Sequence, residues 1–417
     1  MKLHEQLPLV PVRRGAGVWL YDFEQNRYLD AVSSWWVNLF GHCNPRINQA
    51  IKEQLDTLEH VMLAGFTHEP AVLLSERLSS LAPAGLGHCF YASDGASATE
   101  IALKMSAHYW RNTGKPDKCS FISLQNSYHG ETLGALSVTD VPLFKAAYGA
   151  LIRQNATVPS PDSRLAEQGE SPEEYALRCA GRLEAYLQQH HAGTAALIIE
   201  PLIQGAAGMA MYHPVYLRKA RELCSRYEVH LIADEIAVGM GRTGTLFACE
   251  QAEICPDFLL LSKGITGGYL PLSVVMTTDT VYQAYYSNDV GRGFLHSHSY
   301  TGNPLACRAA LATLDIFAAD NTLETNRSKA AYMNRVAAPL SSHERVRNFR
   351  NTGMVWAFEV ETAHTDFAQR LFSVALEHGV LLRPMGKTAY FMPPYVISEQ
   401  EMDFLMAQTL ESINKIG

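Results

Sequence analysis

The run FLLLSKG sets Lys263 just past four apolar residues, where burial of an amine is costly unless the group has a partner or a covalent task. A desolvated amine also has its pKa lowered toward the range in which it attacks a carbonyl. A second apolar run, HLIADEI, delivers a carboxylate, Asp234. Placed against a pyridine-type nitrogen, that carboxylate keeps the ring protonated and makes it an electron sink for a carbanion at an amino acid α-carbon. Each residue alone has a plainer use: Lys263 can snorkel to solvent from a strand end, and Asp234 can cap a turn or helix. The pairing, with glycine flanking the lysine, favours chemistry.

Two further segments fit a flat, phosphorylated ligand. SDGASATE lies between the apolar HCFYA and the helical EIALKM, with Gly95 and Ala96 small enough for backbone N–H groups to approach an anion at a helix N-terminus. The same residues also suit a capped helix with no ligand. NSYHGET offers Tyr128 and His129 as an aromatic lid over a ring, or simply as packed loop aromatics. GMGRTG at 239–244 satisfies the dinucleotide spacing, but TLFACEQAE after it does not open a clean helix, so nicotinamide or flavin binding is not expected. Arg242 within that loop is a candidate partner for a substrate carboxylate. His296 and His298 lack a third nearby ligand, and no metal site is expected.

These residues need a frame that brings strand ends together. From HCFYAS to FLLLSKG, short apolar runs alternate with helical patterns, which predicts a mostly parallel sheet covered by helices on both faces. GVWLYD, EQNR and YLDAVSSWW predict a β-hairpin, and a helix is predicted from about Pro45. Beyond HSHSYTGNP the pattern turns helical over 305–335, and then WAFEV, VLLRP and AYFMP read as strands. The expected division is a large domain at 46–305 and a smaller α+β domain built from 1–45 and 306–417. The polar stretch 160–174 is expected to be a surface insertion. A net charge of -8 without a basic stripe argues against nucleic acid. No stretch reaches the roughly 18 apolar residues of a membrane span, and no signal-peptide core is visible, so a cytoplasmic location is expected. Eight scattered cysteines without C-x-x-C spacing are expected to be reduced and mostly buried.

Taken together, LIADEI, LLSKGITGG, NSYHGET, SDGASATE and HSYTGNPLAC resemble, in order and separation, the motifs of class III aminotransferases of fold type I, which depend on pyridoxal 5′-phosphate (PLP). The resemblance covers nearly the whole chain and implies a seven-stranded large-domain sheet. It makes Lys263 the lysine that forms the Schiff base, Asp234 the partner of the ring nitrogen and Tyr128 the stacked aromatic. Gly95 and Ala96 would cradle the phosphate, and Ser299 would reach the phosphate of a neighbouring subunit, which implies a homodimer with shared sites. SSWW and RPMGKTAYFMPPY narrow the resemblance to the branch that aminates 8-amino-7-oxononanoate with S-adenosylmethionine in biotin synthesis. Trp35 and Trp36 would then wall the substrate pocket. Arg383 would bind a substrate carboxylate, with Arg242, Tyr390 and Glu131 near the same pocket. Lysine as donor, another class III ω-amine transaminase and, more remotely, a dinucleotide-dependent oxidoreductase stay open as alternatives. Family members commonly begin with a segment resembling W-H-P-x-T; this chain starts after it, so that contact is expected to be missing from the pocket.

Overall fold

The hairpin predicted near the N-terminus forms, but stops early. Strand β1 (Val12–Ala16) pairs antiparallel with β2 (Trp19–Asp22), which turns through Gln25 into β3 (Arg27–Asp30). The alternation in YLDAVSSWW predicts strand through Trp36, whereas Ser33–Trp36 winds into a single turn at positive φ. The structure, a computed structural model, describes residues 5, 7 and 9–416.

The central sheet contains β4 (Leu86–Ala92), β5 (Ser120–Leu124), β6 (Ala156–Val158) and β7 (Thr194–Ile199). After a short ribbon of β8 (Ile203–Gln204) and β9 (Ala210–Met211), it adds β10 (His230–Asp234), β11 (Phe258–Leu261) and β12 (Ser273–Thr278). The spatial order is β4-β12-β11-β10-β7-β5-β6. Only β12 runs against its neighbours, so the other strands point their carboxyl ends the same way.

TAALII, HLIAD and FLLL are buried at every residue, as expected of strands covered on both faces. Their side chains alternate between two cores. Leu197, Ile199, Leu231 and Leu259 join the core against the helices Pro172–His190 and Val215–Arg226. Ala196, Ile198, Ile232 and Leu260 face the core of the helix Gly95–Asn112.

The C-terminal strand signals appear as β13 (Val346–Thr352), β14 (Val355–Val360), β15 (Val380–Leu381) and β16 (Thr388–Phe391). The pairings β13-β14-β16 form an antiparallel sheet, while β15 adds parallel to β3 and ties the two ends of the chain together. The predicted helical stretch divides into Pro304–Ala319 and Thr322–Val336, parted at Asn321, whose φ is +47°. The 160–174 stretch is only partly a surface insertion. Ser160 and Asp162 are buried, and Arg164 bridges Asp162 to Glu359 of β14 at 2.7 and 2.8 Å, so the segment braces the central sheet against the C-terminal one. All eight cysteines are unpaired, with four of them buried. No helix among the described residues is long and apolar enough to cross a membrane.

Candidate active site

Parallel strands in an open sheet present ligand sites beyond their carboxyl ends, and five such ends meet here. β4 leads through Asp94 into Gly95 and Ala96, and β5 leads to Tyr128. β7 leads to Glu200, β10 ends on Asp234, and β11 leads to Lys263. All of these residues line one cavity of about 640 Å³, which Trp35, Trp36, Arg383, Met385 and Tyr390 close from the N- and C-terminal segments.

Asp94 caps the helix Gly95–Asn112 by accepting from Ser97 N at 2.9 Å, which leaves Gly95 and Ala96 in the first turn with free N–H groups. Gly130 packs over that turn at φ +117°, and a Cβ there would stand 2.7 Å from Ala96 Cβ. A side chain at residue 130 would therefore push against the first turn of that helix.

Deeper in, Asp234 Oδ2 lies 2.7 Å from His129 Nδ1, and its Oδ1 accepts from Ile236 N at 3.1 Å. His129, read in the sequence with Tyr128 as a lid, is instead buried beneath the carboxylate; the backbone alternation after β5 turns it inward. Burial lowers the Lys263 pKa, against the opposing pull of Asp234 and Glu200. The amine is thereby biased toward its neutral, nucleophilic form.

Glu200 is a site residue that the sequence reading overlooked, although TAALIIE ends on it just as HLIAD ends on Asp234. It is buried and accepts from Tyr128 N at 3.0 Å and Gly205 N at 2.9 Å. Burial pushes its pKa up from 4.5 to about 7, with Asp234 adding to the rise and His129 opposing it. The unfolded chain releases this proton near 4.5 and the folded chain near 7, so folding takes up a proton between those values. Stability from this group is thus fully present below pH 4.5 and lost as the pH rises to about 7. Urea melts of the cofactor-free protein should show Glu200→Gln gaining on the wild type across that window by about 3 kcal/mol, offset by about 1 kcal/mol for the acceptor it loses.

The substrate side is built on strain. Ser33, Ser34, Trp35 and Trp36 hold φ values of +51°, +46°, +74° and +72°. For residues with a Cβ this costs roughly 1–2 kcal/mol each. The turn puts Trp36, only 6% exposed, with its ring centroid 4.7 Å from Lys263 Nζ. Trp35 stays 56% exposed, with Arg383 Cζ 3.8 Å over its ring. Tyr390 takes the Trp36 indole N–H on its hydroxyl at 3.0 Å, and burial pushes the phenol up to about 12. Tyr128 donates to Glu131 at 3.0 Å, and Phe144 meets the Tyr128 ring edge-on.

One residue expected near the substrate is not brought to this cavity. Arg242 is buried away from it, donating to Pro393 O at 2.8 Å and Asn38 O at 3.0 Å. Its placement among the substrate residues is corrected: the guanidinium ties the chain ends together and has no surface left for a ligand. Ser299 is exposed and outside the cavity of its own chain. The GMGRTG loop runs through turns into the short 3₁₀ segment Ala248–Ala252, without the helix a dinucleotide site requires. His296 lies 2.9 Å from Lys104 Nζ, and His298 bonds Ser93 at 3.0 Å.

The family described as Aminotransferase class-III matches residues 2–416. Adenosylmethionine-8-amino-7-oxononanoate aminotransferase of Helicobacter pylori is 45% identical over 424 residues, covering 100% of this chain and 94% of that protein. The crystal structure of the like-named enzyme from Methanocaldococcus jannaschii aligns with a TM-score of 0.93 at 34% identity, covering 99% of this chain and 95% of that one. The omega transaminase from Pseudomonas jessenii in complex with PMP aligns with a TM-score of 0.94 at 28% identity, covering 99% and 94%.

Proposed function

We propose a reaction for a chain that belongs to the class III aminotransferase family: transfer of an amino group to 8-amino-7-oxononanoate, giving 7,8-diaminononanoate, with S-adenosylmethionine as donor. The observation that carries this reading is the joining of Lys263, Asp234 and the Gly95 cradle to a wall of Trp35, Trp36 and Arg383 in one cavity. The cofactor, pyridoxal 5′-phosphate, supplies when bound an aldehyde that exchanges amino groups and a protonated ring that draws electrons from the reacting carbon.

The chain's own residues divide the remaining work. Gly95 and Ala96 would hold the phosphate through backbone N–H groups at the helix N-terminus. Asp234, backed by His129, would accept a hydrogen bond from the protonated ring nitrogen and keep the proton on the ring. Lys263 Nζ, biased toward the neutral form by burial, would take up the proton released by the substrate carbon that bears nitrogen and hold it for return. Tyr128 covers the ring face, and Glu131 fixes its hydroxyl. Trp36 and Tyr390 exclude water beside the amine.

Arg383, on the open rim, takes the carboxylate of the acceptor through its planar fork. Arg383→Ala should raise the acceptor KM by about 10- to 100-fold, and any loss in the donor half-reaction reports on the carboxylate that the donor itself carries. Stopped-flow measurement of the two halves separates these effects. Ser299, exposed and not lining the cavity of its own chain, suits a second copy's phosphate site in a homodimer. The whole-cell test is growth without biotin: the gene should rescue a strain lacking this amination step, and failure to do so with expressed, folded protein contradicts the assignment.

A further inference from the structure

The left-handed turn Ser33–Trp36 contains no glycine, so its handedness must be held from outside. Asp30 does this. Its carboxylate is completely buried, yet it meets four donors. Oδ1 accepts from Ser34 N at 2.9 Å and Val32 N at 3.3 Å, and Oδ2 accepts from Ser34 Oγ at 2.7 Å. The fourth donor is His42 Nε2, at 3.0 Å. On the other side of that ring, Asn38 Nδ2, which can only donate, lies 3.2 Å from His42 Nδ1, so the ring proton sits on Nε2 facing Asp30. The carboxylate therefore joins the entry of the turn to the chain beyond its exit. Ser33 Oγ adds a bond to Met392 O at 2.7 Å.

We propose that Asp30, supported by His42, is a positioning residue for substrate acceptance: it locks Ser33–Trp36 left-handed and so sets the two indoles that face the substrate. The proposal rests on the assignment of Trp35 and Trp36 to the pocket wall. Handedness decides where these rings go, because reversing the turn sends successive side chains out on a different path from the same backbone entry. Trp36 has one fitting berth. A Cβ at Gly205 would stand 2.9 Å from its Cη2, its N–H reaches Tyr390, and its face meets Lys263. From this turn Trp35 meets Arg383, whose Cζ stands 3.8 Å over its ring. Asp30 lines none of the cavity, so its effect on substrate passes through the indoles.

The test uses the full-length, PLP-loaded protein. Asp30→Ala should keep the cofactor's visible band while kcat/KM for the acceptor falls about tenfold or more, carried mainly by KM. Adding Ser34→Gly, which removes the steric cost of the left-handed turn, should recover most of that loss. A structural role alone does not produce that rescue. Should Asp30→Ala fail to fold, Ser34→Ala and Ser34→Gly read the same claim: both lose the hydroxyl, but only alanine keeps the strain, so alanine should be worse by about fivefold. Crystal structures of the variants should show residues 33–36 leaving positive φ in Asp30→Ala. The proposal is overturned by a wild-type acceptor KM in folded Asp30→Ala, by a double variant no better than the single, or by equal losses in the two Ser34 variants. Positive φ retained without the carboxylate overturns it too. If the wild type itself does not turn over the acceptor, the functional assignment fails, and the crystallographic comparison still decides the role of Asp30.

Discussion

Lys263→Ala should yield a folded protein that binds the cofactor without its lysine-bound visible band and turns over at least roughly 10⁴-fold more slowly than the wild type. The size of the loss follows from two functions vanishing with one nitrogen: the amine that exchanges with the substrate, and the base that moves the proton. Methylamine added in solution restores a small molecule of the right basicity without its tether. It should recover part of the proton-transfer rate, because the neutral-amine pocket between Trp36, Asp234 and Glu200 remains. A variant within tenfold of wild type would remove Lys263 from the chemistry.

Asp234→Asn is expected to reduce turnover by roughly 10³-fold, the scale of losing one preorganised charge aimed at the reacting group. An amide in that place makes no ionic partner for a ring N–H, and its position is still set by Ile236 N and His129. The cofactor should therefore still bind, and single-turnover absorbance with the amine donor should locate the loss in the proton transfer. Equal loss of cofactor affinity and rate would instead give Asp234 a role in holding the cofactor alone.

Much of this arrangement was legible because parallel strands buried on both faces leave a simple trace: an uninterrupted apolar run followed by the functional group. Lys263 and Asp234 stand out for that reason, and Gly95 and Ala96 because a capped helix follows its strand directly. Glu200 carries the same signal at the end of TAALII and was missed because no second motif drew attention to it. The turn at Ser33–Trp36 was not readable: its serines and tryptophans fit an alternating strand, and its handedness depends on Asp30, His42 and Met392, the last of them 359 residues from Ser33. Arg242 was misplaced for a related reason. An arginine in a glycine-rich loop looks accessible until the chain ends fold over it, and only then do its two terminal nitrogens find Asn38 O and Pro393 O.

The most direct test of the whole account is a defined reaction with purified full-length protein, PLP, S-adenosylmethionine and 8-amino-7-oxononanoate, followed by mass spectrometry of the product. The account predicts 7,8-diaminononanoate, formed by the wild type and not by Lys263→Ala. A yellow, folded wild-type protein that transaminates other ω-amines yet forms no diamine from this acceptor would contradict it.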